Sequence, residues 1–249
     1  MAVFLTAEWR YLAMLNFSIE PDVLQPYLPA GTELDSWQGN SYVSMVGFLF
    51  LKTRVLGVPV PFHRNFEEVN LRFYVRRKGP EGWRRGVAFI KEIVPRRLVA
   101  AAARAVYGEP YVALPMQHRL ALEGASLRRD ALVEYCWFHQ GRWNSLRAIV
   151  QGSPNLPREQ SQEAFIAEHY WGYTAGRSGK SAEYRVEHPP WRVWQVRDAA
   201  LDCDAASLYG PAFAGPLTAA PTSAFVAEGS FVSVKSGRLL ENVNLGISV

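Results

Sequence analysis

The run Phe66-Glu67-Glu68-Val69-Asn70-Leu71-Arg72-Phe73-Tyr74-Val75 restricts this chain more than any other stretch. Its alternation is that of a β-strand, whose successive side chains leave opposite faces. Val69, Leu71, Phe73 and Val75 share one face and require a core behind them. Glu68, Asn70, Arg72 and Tyr74 share the other. That second face either meets water or lines an enclosed polar cavity. In a cavity the row offers an acid, an amide and a fixed cation to something small.

Strand signals continue over residues 8–17, 41–52, 84–94, 111–120, 130–139, 142–151, 182–188, 191–198 and 222–234. Gln140-Gly141 reads as a tight hairpin turn between Phe138 and Trp143. Short helices are expected where proline suits a first turn: Pro21 to Leu28, Pro95 to Tyr107, and after Pro157 to Glu168. Helices inserted between strands, rather than alternating with them, indicate a β-rich α+β fold with a largely antiparallel sheet and a few flanking helices. At 249 residues and 49% hydrophobic content the chain can bury a substantial core. No repeat or linker-like tract divides it, so 1–249 reads as a single domain. Many strands of similar length can remove their edges by closing into a barrel, and a wide-mouthed barrel leaves a central cavity. The 13% aromatic share, with eight tryptophans, suits a large sheet or an aromatic-lined cavity.

Several function classes lack support. The formal charge is +4, and the basic residues are dispersed. Arg76-Arg77-Lys78 and Arg84-Arg85 flank Gly79-Pro80-Glu81-Gly82 and read as a solvated hairpin tip. No recognition motif accompanies them, so no nucleic-acid partner is expected. Cys136 and Cys203 form no disulfide framework and suit a reduced cytoplasmic interior. The first ten residues lack a basic n-region, so no signal peptide is expected. The longest apolar run, Tyr42 to Leu51, is too short to span a bilayer as a helix, so no membrane partner is expected. Gly179-Lys180-Ser181 resembles the end of a phosphate-binding loop, but Thr174 stands where the first glycine belongs. No two of His63, His118, His139, His169 and His188 have metal-ligand spacing, and neither a metal nor a cofactor is expected. No Gly-x-Ser-x-Gly elbow supports a nucleophilic serine. Asp202-Cys203-Asp204 reads as a turn or as a cap for Ala205–Tyr209. Lys91 is either a desolvated amine or, with Glu92, part of a strand end in water or ion-paired. Glu168-His169-Tyr170-Trp171-Gly172-Tyr173 is either a packed connector or a pocket wall.

Four segments carry a resemblance: Phe66–Val75; Phe89–Pro95 leading to Tyr107-Gly108-Glu109-Pro110-Tyr111; Glu168–Tyr173; and Ser223–Ser230. Together they resemble the YqjF-like family of uncharacterised bacterial proteins, placed in the acetoacetate decarboxylase-like superfamily. The resemblance implies a cone-shaped antiparallel β-barrel with helices outside and a central cavity. The decarboxylases use an arginine, a glutamate and a lysine. The resemblance carries the arginine to Arg10, which leads Tyr11–Phe17 and then Pro21-Asp22-Val23-Leu24. It carries the glutamate to Glu68, near the start of a strand ending at Lys78-Gly79. The lysine has no counterpart, because Tyr111 takes its place. A phenol can donate a hydrogen bond to a developing oxyanion but cannot form an imine. Schiff-base decarboxylation thereby loses its central group.

Three readings stay open. An enzyme of lyase, hydratase or isomerase type would act on a small keto or carboxylate compound. Arg10 would clamp a carboxylate, Glu68 would be the general acid or base, and Tyr111 would orient a carbonyl oxygen. A binding protein would hold an anionic metabolite through Arg10, Arg72 and Asn70, with Tyr74, His169 and Trp171 as further ligand contacts, and return it unchanged. A structural protein would satisfy its polar row internally, although Glu68 and Arg72 lie about 13 Å apart along one strand face and cannot easily pair. The oligomeric state is left open.

Overall fold

In the computed structural model, which describes residues 1–106, 108–175 and 181–240, twelve strands of three or more residues carry the fold. They are β1 Val3–Ile19, β2 Ser41–Val55, β3 Phe66–Gly79, β4 Gly82–Val94, β5 Tyr111–Ala113, β6 Met116–Leu120, β7 Leu132–His139, β8 Arg142–Asn155, β9 Trp171–Ala175, β10 Ser181–Glu187, β11 Val193–Asp202 and β12 Ser223–Lys235. The helices are short: α1 Pro21–Leu24, α2 Arg97–Val106, α3 Gln162–Ala167, α4 Ala205–Tyr209 and α5 Pro211–Thr218. Tyr107 and the Gly179-Lys180 pair lie outside the described residues.

Hydrogen-bonded neighbours run β10-β9-β4-β3-β2-β1-β12-β11-β8-β7-β6. β10 also pairs with β12, through Val186↔Val234 and Glu187↔Ser233. Seven strands, β10 round to β12, therefore form a circuit of pairings, and β11, β8, β7 and β6 continue beyond it. Most pairs are antiparallel, as expected. Two are parallel: β9 on β4, with Trp171 opposite Gly86, and β5 on β4, with Tyr111 opposite Glu92. The sheet is therefore mixed. Helix α2 returns the chain to the end that β4 left, which a parallel β4–β5 pair requires.

Both faces of β3 are buried. Val69, Leu71, Phe73 and Val75 pack with Tyr135, Trp137 and Leu146 of β7 and β8, and with Phe213 of α5. The extension of the sheet thus covers the outside of the circuit. The inner face belongs to a second core that includes Phe48, Phe50, Phe66 and Val186.

Local chemistry explains most boundaries. Gln140 and Gly141 take φ of 46° and 82°, the left-handed pair that a two-residue hairpin turn demands. Asp204 caps α4, its carboxylate accepting from Ser207 N at 3.2 Å. Helix α3 starts later than Pro157 suggests, because Gln160 at φ 61° breaks the backbone path and Ser161 Oγ then accepts from Ala164 N at 3.2 Å. The strand expected over 111–120 is divided at Leu114-Pro115 into β5 and β6, since proline offers no donor to a ladder. The solvated-tip reading fails for Arg84, which is 7% exposed and pairs with the buried Glu183 at 2.6 Å. Arg85 likewise binds Asp35 at 2.6 Å. Among the described residues no helix is long and apolar enough to cross a membrane.

Candidate functional site

β3 turns its polar row inward, onto a cavity of about 370 Å³. Register aligns further groups with that row. Asn70 lies opposite Glu92 of β4, and Glu92 lies opposite Tyr111 of β5. A bulge in β4 sets which side chains enter: Leu71 pairs with Lys91, yet Arg72 pairs with Phe89. Lys91 therefore leaves on the outer face with Leu71, while Glu92 enters with Asn70.

Glu68 is 3% exposed. Its Oε1 accepts from Asn70 Nδ2 and its Oε2 from the Tyr111 hydroxyl, each at 3.0 Å. Burial pushes the Glu68 carboxyl up to about 7, against the pull of those two bonds and of the Arg72 charge. Glu109 accepts from the Tyr184 hydroxyl, and burial pushes it up to about 8. Glu92 is held well above the ordinary carboxylate range by burial first and then by Glu109 and Glu68. Carboxyls this close titrate as a set. Near neutral pH the set keeps most of its protons and can release or take up one.

Arg72 Nη2 donates to Ile166 O at 3.1 Å, and among the described residues no carboxylate forms an ion pair with its guanidinium. His169 Nε2 lies 3.2 Å from Asp35 Oδ2, the oxygen that Arg85 also binds. Burial pushes His169 down to about 4, so its ring is neutral at pH 7. Asn70 Oδ1, Arg72 Nε, Glu92 Oε2 and His169 Nδ1 are buried without a hydrogen-bond partner. All four belong to residues lining the cavity. Buried polar atoms are nearly always bonded, and these four belong to one stretch of wall. Towards Phe66 the same wall becomes aromatic: Phe50 stacks on Phe66 at 4.7 Å, and Trp9 meets Phe48 edge-on at 5.4 Å.

Glu68, Asn70, Arg72, Tyr111, His169 and Trp171 all line the cavity. Arg10 does not. It pairs with Glu8 at 3.1 Å and is 37% exposed. Trp9 takes the inner face, and the irregularity at Tyr11, with φ of 55°, makes Leu12 the next inward residue. Tyr74 stands behind the wall: its hydroxyl lies 2.5 Å from Ser44 Oγ and its ring 4.8 Å from His169, which it supports. Lys91 donates to Leu208 O on the outer face, where burial lowers its pKa. Glu92, read as a residue in water or ion-paired, is 2% exposed inside the cavity wall. Glu92 and Glu109 were not singled out by sequence. The available signal was a carboxylate inside the apolar run Phe89–Val94.

Residues 6–230 match the DUF2071 family, described as an uncharacterized conserved protein. The chain belongs to this family. The uncharacterized protein YqjF of Bacillus subtilis (strain 168) is 27% identical over 187 residues, 74% of this chain and 72% of that one. Among solved structures, acetoacetate decarboxylase of Legionella pneumophila superposes with a TM-score of 0.68 at 13% identity, over 96% of this chain and 88% of that one. The enduracididine biosynthesis enzyme MppR, complexed with pyruvate, gives 0.68 at 15% identity, over 97% and 91%. An acetoacetate decarboxylase-like enzyme from Sphingomonas wittichii RW1 gives 0.64 at 15%, over 97% and 94%. DUF2071 therefore has the acetoacetate decarboxylase-like fold in this chain, and at such identities the structural likeness speaks of fold alone.

Proposed function

We propose that the cavity is an active site that moves a proton next to the carbonyl of a small keto acid or related carboxylate, in chemistry of the lyase, hydratase or isomerase type. The observation that carries this reading is Glu68, a carboxyl buried between Asn70 and Tyr111 with a pKa near 7, facing the same cavity as an arginine without a carboxylate partner. A general base works best when its pKa lies near the operating pH. Arg72, rather than Arg10, takes the substrate carboxylate through a charge-assisted pair. Glu68 in its ionised form accepts the proton from the carbon beside the carbonyl. The C–H electron pair becomes the enolate double bond, and the oxygen that gains charge accepts from the Tyr111 hydroxyl, which leaves Glu68 as that carboxylate takes up the proton. Protonation of the same carbon by Glu68 reverses the step.

In this reading residues 1–249 make one domain, the seven-strand circuit is a cone-shaped barrel wall, and the protein works in a reducing cytoplasm with Cys136 and Cys203 as free thiols. The pyruvate held by MppR supports a 2-oxo acid as the first probe. Imine chemistry has no place in it, since none of the described lining residues is a lysine.

That same lack of an amine favours a second reading, a protein that binds an anionic metabolite and leaves it unchanged. Proton NMR of pyruvate in D2O separates the two. The active-site reading expects protein-dependent loss of the methyl signal, slowed at least a hundredfold by Glu68→Gln with an unchanged circular dichroism spectrum. Saturable binding with no exchange above buffer would leave the binding reading standing. Exchange undiminished in Glu68→Gln would remove Glu68 from the step.

A further inference from the structure

We infer that the ligand of this cavity carries an apolar body, aryl or alkyl, attached to its anionic head. The inference rests on the reading above for the head and takes the body from separate observations.

The inner row of β3 supplies a ruler. Phe66, Glu68, Asn70 and Arg72 follow one another at two-residue spacing, so Phe66 and Arg72 stand about 20 Å apart along the strand. Phe50 lies opposite Phe66, Phe48 opposite Glu68, and Val46 opposite Asn70. The buried carboxyls and the guanidinium thus lie on the Glu68–Arg72 side, joined by Glu92 and His169, while Thr53 and His63 are the polar side chains added towards Phe66. The Phe66 side is built from four rings. Trp9 meets Phe50 at 5.6 Å and Phe48 at 5.4 Å, and Phe50 stacks on Phe66. Beyond them α2 forms part of the wall with Val99, while Leu98, also lining, is 69% exposed. The cavity therefore opens beside α2, past the aromatic rings, with its charged groups deeper.

Size points the same way. A volume of about 370 Å³ falls within the range of about 300–1,000 Å³ typical of sites that enclose a whole drug-sized molecule. A three-carbon acid bridging Arg72 and Glu68 would leave the four rings facing water, whereas an apolar body removes that surface from water. Trp9 Nε1 and Thr53 Oγ1 are buried without partners on this side, which gives the body room for one isolated polar atom.

Titration calorimetry of the full chain with pyruvate, phenylpyruvate and 2-oxooctanoate tests the inference. Phenylpyruvate and 2-oxooctanoate are expected to bind at least tenfold more tightly than pyruvate. Phe50→Leu is expected to weaken both by at least threefold while leaving pyruvate within twofold. Equal affinities of the wild-type chain for all three acids would overturn the inference, and that series decides the matter by itself if the variant does not fold. The exchange assay keeps the two readings apart. Exchange of pyruvate with equal affinities would sustain the proton-transfer reading and overturn the apolar body. Tighter binding of the longer acids without exchange would do the reverse. Failure of all three to bind would overturn both.

Discussion

Arg10 and Arg72 show how one residue of backbone irregularity decides a role. Alternation from Phe66 was enough to place Glu68, Asn70 and Arg72 on one face, because β3 is regular there and each residue occupies one pleat. The same logic fails on β1, where Tyr11 at φ 55° shifts the phase between Trp9 and Leu12. No local signal announces such a bulge. The two arginines should therefore differ sharply. Arg10→Ala is expected to leave pyruvate affinity within twofold and to cost about 0–1 kcal/mol in urea unfolding, as for other exposed ion pairs. Arg72→Met is expected to weaken pyruvate binding at least tenfold by calorimetry, with the secondary structure retained. Comparable losses in the two variants would contradict the assignment of the anion anchor.

At the scale of elements, the acid cluster depends on how closely β9 and β10 approach. A Cβ on Gly172 would come 2.1 Å from the Tyr184 ring, whose hydroxyl holds Glu109. Gly172→Ala is expected to cost about 1–3 kcal/mol, the usual penalty of overpacking, read from thermal or urea melts. Displacing Tyr184 also removes the bond that lowers Glu109. The Glu109 carboxyl should then titrate above its present value of about 8, followed by isotope-edited infrared spectroscopy. Sequence reading found most long strands, since their periods and turn residues were explicit. It did not find β9 as a strand, because Trp171–Ala175 mixes glycine with polar aromatics and shows no clean alternation. It also puts Glu92 at a strand end, in water or ion-paired, and not in the cavity wall. The β4 bulge that sends Lys91 outward and Glu92 inward exists only in the pairing with β3.

For the molecule as a whole, the buried carboxyls set a pH dependence of stability. Glu68 and Glu109 are raised, to about 7 and about 8, and Glu92 is raised well above its ordinary range. The folded protein thus holds protons that the unfolded chain releases from about pH 4.5 upward. Their contribution is complete below that pH and is lost as the pH climbs through the folded values. His169 and His188, both lowered to about 4, act oppositely, adding stability between about pH 4 and 6.5. Above 6.5 only the loss from the carboxyls remains among these groups. Urea unfolding should show stability falling from pH 6.5 to 8.5, at about 1.4 kcal/mol per pH unit for each retained proton. Glu92→Gln should make that slope shallower; an unchanged slope would place the titration elsewhere. Among the described residues the strand circuit is fastened by two rungs at β10–β12, Val186↔Val234 and Glu187↔Ser233, and by two at β9–β4, Trp171↔Gly86 and Gly172↔Val87. Zips that short are where the wall breathes first. The amides that donate across these rungs should trade hydrogen for deuterium sooner than those along the long β1–β2 seam, and a molecule lodged inside, bracing the wall like a strut, should slow them.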